Sequence, residues 1–460
     1  MALIEFSKNG WHGVISDEIT FENITIVAQA VADYLNDTRD KGAAIVLGYD
    51  TRFLSREYAW AIQRVLTGNG LKVYLHKKPI PTSFISLSVR LYQADLGIMV
   101  TGEGRPARYS GLTFKLGQGE PASEMWMSNL FNYLYRRYPR SSDDNRALLH
   151  YIDVNRDYTN LANKYLDFSL MKEQRPLVVS DSFFGSVGTF FQDILNENGV
   201  SGVHIRTKAN PGFWDSIPQP NDRNMQPLSR LITQKRGNIG LFFNGDGSQL
   251  GVVTSNGEIL SSLWISAIAL YEWLSTMGNK YDVYTELFTP QIAIPILNHY
   301  QLKEAPLYKL YEESSDFSRA IIWERQSLTF GGFLPEKDGM FQGLLLLRAL
   351  YRNEMDWKKL MHNVQVLAGQ GYMEQKSINM DGNTWNRKRS AIMDQKVEFI
   401  KEGTVINIEE DKDLKLWLSD GSWLGFSHNP KDCNLSIFYD TASREASEGY
   451  FPAVISWLLE

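Results

Sequence analysis

The sequence predicts an α/β protein, with three tandem α/β/α domains on parallel or mixed sheets followed by a smaller α+β C-terminal domain. Three observations carry this. Between Ile45 and Val100, apolar runs alternate with amphipathic segments in β-α-β-α-β order, which calls for parallel strands joined by helical crossovers. The alternation recurs from Pro176 and again from Leu260, so rounds of about a hundred residues repeat along the chain. From Leu367 the pattern changes to short strand candidates, as in an antiparallel sheet. At 460 residues the chain exceeds one ordinary core, and roughly three or four domains are expected. The boundaries are placed at 1–150, 151–255, 256–366 and 367–460.

In order, Ile45 to Tyr49 is an apolar strand followed by Asp50-Thr51-Arg52. A helix runs from Ser55 to Gly68, with Tyr58, Ala61, Ile62 and Val65 on one face. Leu71 to Leu75 is a strand and Ser83 to Tyr92 a helix. Leu96 to Val100 is a buried strand that enters a loop from Thr101 to Gly111. An open α/β sheet places its chemistry at such a strand end. The second round has strands at Pro176 to Ser180, Val203 to Arg206 and Ile239 to Phe243, and helices at Val187 to Gly199 and Leu228 to Gln234. The third has helices at Leu260 to Ser275 and Gly339 to Arg352 and a strand at Ala320 to Trp323. The tail has strands at Val405 to Glu409, Leu414 to Leu418 and Leu435 to Tyr439, then a helix near Tyr450 to Leu459. Linkers are expected near 143–155, 254–258 and 367–371.

Composition narrows the function classes. A net charge of −6 argues against a general nucleic-acid binder. Cys433 is the sole cysteine, so an intrachain disulfide and a cysteine zinc site are both excluded. The first residues have neither the basic nor the apolar region of a signal peptide. The longest apolar segment, Leu263 to Leu274, is too short to span a bilayer. A cytoplasmic protein without membrane contact is expected. The seven histidines are scattered, and no H-E-x-x-H, G-x-S-x-G or Walker A pattern occurs.

Several segments together resemble the α-D-phosphohexomutases, the phosphoglucomutase and phosphomannomutase superfamily. Gly10-Trp11-His12-Gly13 with Phe21-Glu22-Asn23 is similar to that family's G-W-R-G and F-E-N signature, and Gly48 to Ser55 to its G-Y-D-T-R-x-x-S. Asn210 to Leu228 resembles its R-D-P-x-F-G segment, Leu334 to Met340 its K-D-G segment, and Asp420 to Leu424 the lead-in to its last loop. The resemblance implies four domains around a central cleft. It also implies phosphoryl transfer between hexose positions through a phosphoserine, a metal ion, a sugar loop and a terminal phosphate loop.

Each of these four loops is altered. In the nucleophile loop, T-A-S-H-N-P in the family, Glu103 stands at the serine position, while Thr101, Pro106, Tyr109 and Gly111 match. Glu103 has no hydroxyl to carry a stable phosphate. Its charge partly imitates a phosphoserine at about −1.5 to −2, or it is simply a solvated loop residue. Thr113 replaces the loop's lysine, and His12 stands where the family has a catalytic-face arginine, near Arg52. The metal loop, D-G-D-x-D-R in the family, reads Asn244-Gly245-Asp246-Gly247-Ser248-Gln249. Only Asp246 keeps a carboxylate, and Asn244 and Ser248 offer neutral oxygens. A hard cation prefers charged oxygens, so no cofactor is expected, Mg²⁺ at these three residues being the one candidate. The sugar loop aligns with Trp323, Glu324 and Arg325, followed by Lys337 of the K-D-G segment. The phosphate loop aligns with 427–433, where Ser427, Asn429 and Lys431 could meet an anion and Pro430 removes a backbone donor.

Two readings stay open. One is a phosphohexomutase-like pseudoenzyme, a binding, regulatory or scaffolding protein whose partner is a sugar phosphate, another protein or a second copy of itself. The other is a divergent enzyme acting on a sugar phosphate with altered chemistry, using Glu103, Asp246, Glu324, Lys337 and Arg52.

Overall fold

In the first sheet, β1 (Gly10–Val14), β2 (Ala44–Tyr49), β3 (Lys72–His76), β4 (Leu96–Val100), β5 (Tyr109–Lys115) and β6 (Leu149–Ile152) stand in the order β1-β5-β4-β2-β3-β6. The computed structural model describes residues 4–7, 10–39, 42–142, 145–166, 168, 176–286, 290–313, 316–324, 327–368, 371–394, 405–410, 413–429, 433–441 and 444–460. The chain divides into two compact units, Met1–Ile265 with Ser314–Ala320 and Thr329–Trp357, and Ser266–Glu313 with Ile321–Leu328 and Lys358–Glu460.

The first unit holds two sheets. In the first, β2 pairs in parallel with β3 and β4, and β3 with β6. The sheet is mixed because β5 turns back antiparallel to β4 and pairs antiparallel with β1. The loop after β4 therefore gives way to β5 at Tyr109, so Tyr109 to Gly111, read as loop in the sequence, are strand. A helix that the motif reading passed over, α1 (Phe21–Thr38), begins where the Thr20 hydroxyl accepts from the Asn23 N–H at 3.1 Å. It buries Ile24, Val27, Ala28, Val31 and Leu35, at helical spacing. With the helix Ser55–Gly68 it covers one face of the sheet through Ile45, Leu47, Ile98, Val100, Leu112 and Phe114.

The second sheet of this unit has the order β11-β10-β9-β7-β8, from β7 (Leu177–Asp181), β8 (Ser201–Ile205), β9 (Ile239–Phe243), β10 (Leu250–Thr254) and β11 (Ile259–Leu260). Residues 254–258 are a tight turn between β10 and β11, closed by the Thr254 N–H donating to the Glu258 carbonyl at 2.9 Å, with Gly257 at φ 89°. That stretch is a hairpin turn rather than a linker, and the linker expected at 143–155 contains β6. The helix Gly339–Arg352 is buried along nearly its whole length. Its first turn is capped by Asp338, which accepts from the Phe341 N–H at 3.0 Å and from the Tyr158 hydroxyl at 2.8 Å.

The second unit contains most of a four-stranded sheet, β13 (Glu304–Pro306), β12 (Asp282–Thr285), β14 (Ala320–Glu324) and β15 (Ser327–Phe330) in that order, with Ala320, Thr329 and Phe330 assigned to the first. It also contains an antiparallel sheet of β16 (Tyr372–Asn379), β20 (Asn434–Thr441), β19 (Trp423–Asn429), β18 (Leu414–Leu418) and β17 (Val405–Glu410). The helices Gly382–Met393 and Arg444–Leu459 cover one face of that sheet through Trp385, Phe426, Ile437, Tyr439 and Phe451. α/β sheets followed by an antiparallel α+β piece are the predicted fold class. No described helix is long and apolar enough to cross a membrane.

Candidate functional site

The site in the first unit is built on Arg52. This residue follows β2 and is 4% exposed. Its Nε donates to Asp50 Oδ2 at 3.1 Å. Nη1 donates to the carbonyls of Pro106 and Tyr109 at 2.7 and 3.0 Å, and Nη2 to those of Glu103 and Arg105, both at 2.7 Å. All five guanidinium N–H donors are used, three of them on the loop after β4 and one on Tyr109 at the start of β5. Asp50 is held in turn by the Ser55 hydroxyl at 2.7 Å and the Gly102 N–H at 3.3 Å. Gly102 has to be glycine here, because a Cβ would lie 2.6 Å from Arg52 Cζ. Arg52 is thus a positioning residue that clamps the loop, with no donor left for a ligand.

The clamped loop presents Glu103 in a left-handed conformation, φ 52°, uncommon for a residue with a side chain. Its N–H donates to Thr101 Oγ1 at 2.9 Å, and its Oε2 accepts from Arg105 Nη1 at 2.7 Å. Both side chains are about a third exposed, Glu103 at 34% and Arg105 at 39%. Burial pushes the Glu103 carboxyl up. His12 when protonated, then Arg105 and Lys115, outweigh that and hold it at about 2.

His12 comes from β1, where it lies opposite Gly111 of β5. A Cβ on Gly111 would lie 2.7 Å from the imidazole Cδ2, so the glycine makes room for the ring. The His12 side chain is 3% exposed, with Nε2 3.7 Å from Glu103 Oε2. Among the described residues neither ring nitrogen has a hydrogen-bond partner. Desolvation lowers its pKa from 6.5 to about 4, against the Glu103 charge and with Arg105 and Arg52 adding to the fall. At neutral pH a neutral imidazole therefore stands beside an ionised, arginine-bound carboxylate. Further along β5, Lys115 pairs with Glu336, and both are buried.

The segment Asn244–Gln249 follows β9 and is closed on itself. Asn244 Oδ1 accepts from the Gln249 N–H at 3.0 Å, and Asn244 Nδ2 donates to Ser248 Oγ at 3.2 Å. Asp246 Oδ1 accepts from the Ser248 N–H at 3.1 Å and from its hydroxyl at 2.7 Å. The Asp246 carbonyl accepts from the Thr82 N–H and the Gly247 carbonyl from the Gly339 N–H, both at 2.9 Å, so this loop caps two helices. Burial raises the Asp246 pKa despite Ser248, and the charges of Glu103 and Asp50 raise it further. One carboxylate that resists ionisation, with neighbouring oxygens already engaged, does not fit a hard divalent cation. Among the described residues no group of three or more His, Cys, Asp or Glu could hold a metal.

Lys337 is half-buried, its N–H donating to Glu336 Oε1 at 3.1 Å. In the second unit Trp323 is 0% exposed within β14. The ring is packed inside rather than presented at the surface. Glu324 ends the same strand and is partly exposed. Ser427 and Asn429, expected in a phosphate loop, lie in β19, opposite Ser436 and Asn434 of β20. A paired strand replaces a loop there, so their backbone groups belong to a sheet ladder. Arg325 and Lys431 lie outside the described residues.

Known proteins agree with this architecture. The family described as phosphoglucomutase/phosphomannomutase, alpha/beta/alpha domain I, matches residues 3–134. A Methanosphaera stadtmanae protein carrying the name phosphoglucosamine mutase is 23% identical over 363 residues, 76% of each chain. A Pyrococcus abyssi protein of the same name is 24% identical over 58% of this chain and 57% of its own length. A Thermus thermophilus structure titled as a phosphomannomutase superposes with TM-score 0.84 at 21% identity, covering 99% of both chains. The chain as a whole has the α-D-phosphohexomutase fold.

Within domain I, sequence comparison alone passed over two participants. Arg105 has no counterpart in the family's loop motif, yet it is the partner that fixes Glu103. Lys115 is hidden by the absence of lysine at 113, yet it sits two residues on, on the same face of β5. The period of two in a strand is the signal that could have found it.

Proposed function

We propose that this chain is a phosphohexomutase-fold protein that binds a sugar phosphate and passes no phosphoryl group through its domain I loop. Its role is then binding, regulation or scaffolding, alone, with a protein partner or with a second copy of itself. The observation that carries this reading is the Arg105-bound Glu103 anion, clamped by Arg52 where family members hold a phosphoserine. A carboxylate can form an acyl phosphate, but this one is an anion already paired. The Asn244–Gln249 loop offers no charged cradle for a metal that would neutralise the transferring group. Enzymes lower barriers by about 8–23 kcal/mol, and one lost charge-stabilising donor already costs about 3–4 kcal/mol. Loss of both nucleophile and metal ligands removes much of that.

A second reading, a divergent enzyme acting on a sugar phosphate, is favoured by one observation. His12 is neutral at pH 7 beside Glu103, with both ring nitrogens unpartnered among the described residues, as a proton-transfer group would be. The separation of 3.7 Å is longer than a hydrogen bond, so proton exchange between the two requires a shift on ligand binding. A coupled mutase assay with glucose 1-phosphate and mannose 1-phosphate, with Mg²⁺ and a bisphosphate activator, separates the readings. The first expects calorimetric binding without turnover. Turnover at enzymatic rates, abolished by Glu103→Ala, contradicts it.

A further inference from the structure

The loop between β8 and the helix Asp222–Lys235 has a feature that neither reading uses. Three successive residues, Phe213, Trp214 and Asp215, have φ of 46°, 53° and 55°. Left-handed backbone is unusual for residues with side chains, and aromatic residues rarely accept it. Such strain persists only where the surroundings enforce it, and it gathers at ligand sites.

The surroundings here are explicit. Phe213 is fully buried, its ring parallel to that of Phe183, with the Arg52 guanidinium 5.2 Å from its centroid. Asn224 Nδ2 donates to the carbonyls of Ile217 and Gln219 at 2.7 and 2.9 Å, and its Oδ1 accepts from Ser216 Oγ at 2.6 Å. Gln219 Nε2 donates to the Gly104 carbonyl at 2.7 Å, and the Gly245 N–H to the Pro218 carbonyl at 3.2 Å. The loop is thus tied to the Arg52 clamp, to the Glu103 loop and to the Asn244–Gln249 loop.

On this braced loop Trp214 is 67% exposed, its ring resting against Phe184 at 5.0 Å. A tryptophan used for stability would be inside. This one is held outward, on a backbone bent to hold it there. Along the same loop Asp215 and Gln219 are exposed and polar, and Ile217 is exposed and apolar. A hexose suits both features, since its C–H face packs on an aromatic ring while its hydroxyls require polar partners around the rim.

We infer that Trp214 is the stacking platform for the pyranose ring of the sugar phosphate bound beside the Glu103 loop. This rests on the sugar-phosphate reading above and adds the subsite that recognises the ring. The test is calorimetric titration of the full chain with glucose 1-phosphate, and with inorganic phosphate as a probe lacking the ring. Trp214→Ala should weaken glucose 1-phosphate roughly three- to tenfold and leave phosphate unchanged, and Trp214→Tyr should restore most of the loss. Equal affinity of wild type and Trp214→Ala for glucose 1-phosphate overturns the inference. So does equal weakening of both probes, which reports a displaced loop rather than a lost platform. If Trp214→Ala instead changes the sedimentation of the chain, the indole faces a second copy and the inference falls. A wild-type chain that binds neither probe overturns the underlying reading as well, so the two failures are distinguishable.

Discussion

The loop at 101–108 and the loop at 244–249 both follow buried strands of the first unit, yet they have gone opposite ways. The first keeps charge. Glu103 is ionised and partly exposed, with Arg105 beside it and, behind it, an imidazole unpartnered among the described residues. The second has given up charge for connection, its polar atoms bonded to one another and its carbonyls capping two helices. A loop held from outside, here by Arg52, can retain unusual side chains because its shape does not depend on them. A loop that holds itself uses its side chains for that purpose and has none left for a metal.

The largest effect should come from removing the external clamp. Arg52→Ala leaves four carbonyls and Asp50 without their partner, and breaking a buried charge pair costs about 3–5 kcal/mol. Urea unfolding should show that loss, and limited proteolysis should cut first within 102–109. Unchanged stability would mean that the loop holds itself, as the other does.

The imidazole behind Glu103 should be felt through pH. The folded pKa of His12, about 4, lies below its unfolded value of 6.5. The unfolded chain therefore binds the extra proton between these values, so the stability His12 contributes is complete above 6.5 and is lost as pH falls toward 4. The span corresponds to roughly 3 kcal/mol, and His76, lowered to about 3, acts in the same direction. His12→Gln should flatten the slope of stability between pH 6.5 and 4, as followed by denaturant melts. An unchanged slope would show that His12 titrates normally.

Changes inside the self-contained loop should be the mildest. Asp246→Asn keeps an acceptor for the Ser248 N–H and hydroxyl, and a shift within about 1 kcal/mol is expected. Millimolar Mg²⁺ should leave the melting temperature of both proteins unchanged. A rise confined to the wild type would place a cation at Asp246. Glu103→Ser restores a hydroxyl to the charged loop but not the missing metal ligands, so it should gain no mutase turnover in the coupled assay.

Much of this was legible in the sequence. Apolar runs located β2, β4, β9 and the helix Ser55–Gly68 almost to the residue, because fully buried strands and amphipathic helices write their periods directly. The turn at 254–258 read as a linker because Gly257 punctuates a hairpin and a boundary alike. Arg52 was visible, but its task was not. Its partners are backbone carbonyls some fifty positions downstream, and carbonyls have no letter in the sequence. Trp214 was submerged in a proline- and glycine-rich stretch, where exposure depends on the signs of three dihedral angles. The positions of Ser427 and Asn429 were misread because motif alignment assigned a loop where cross-strand pairing builds β19.

The most direct test of the central claim is phosphorus NMR of glucose 1-phosphate with the purified chain, Mg²⁺ and a bisphosphate activator. Binding without transfer predicts a saturable broadening of the glucose 1-phosphate signal and no growth of a glucose 6-phosphate signal over hours. Conversion at enzymatic rates that disappears in Glu103→Ala, or no broadening at any protein concentration, would contradict it.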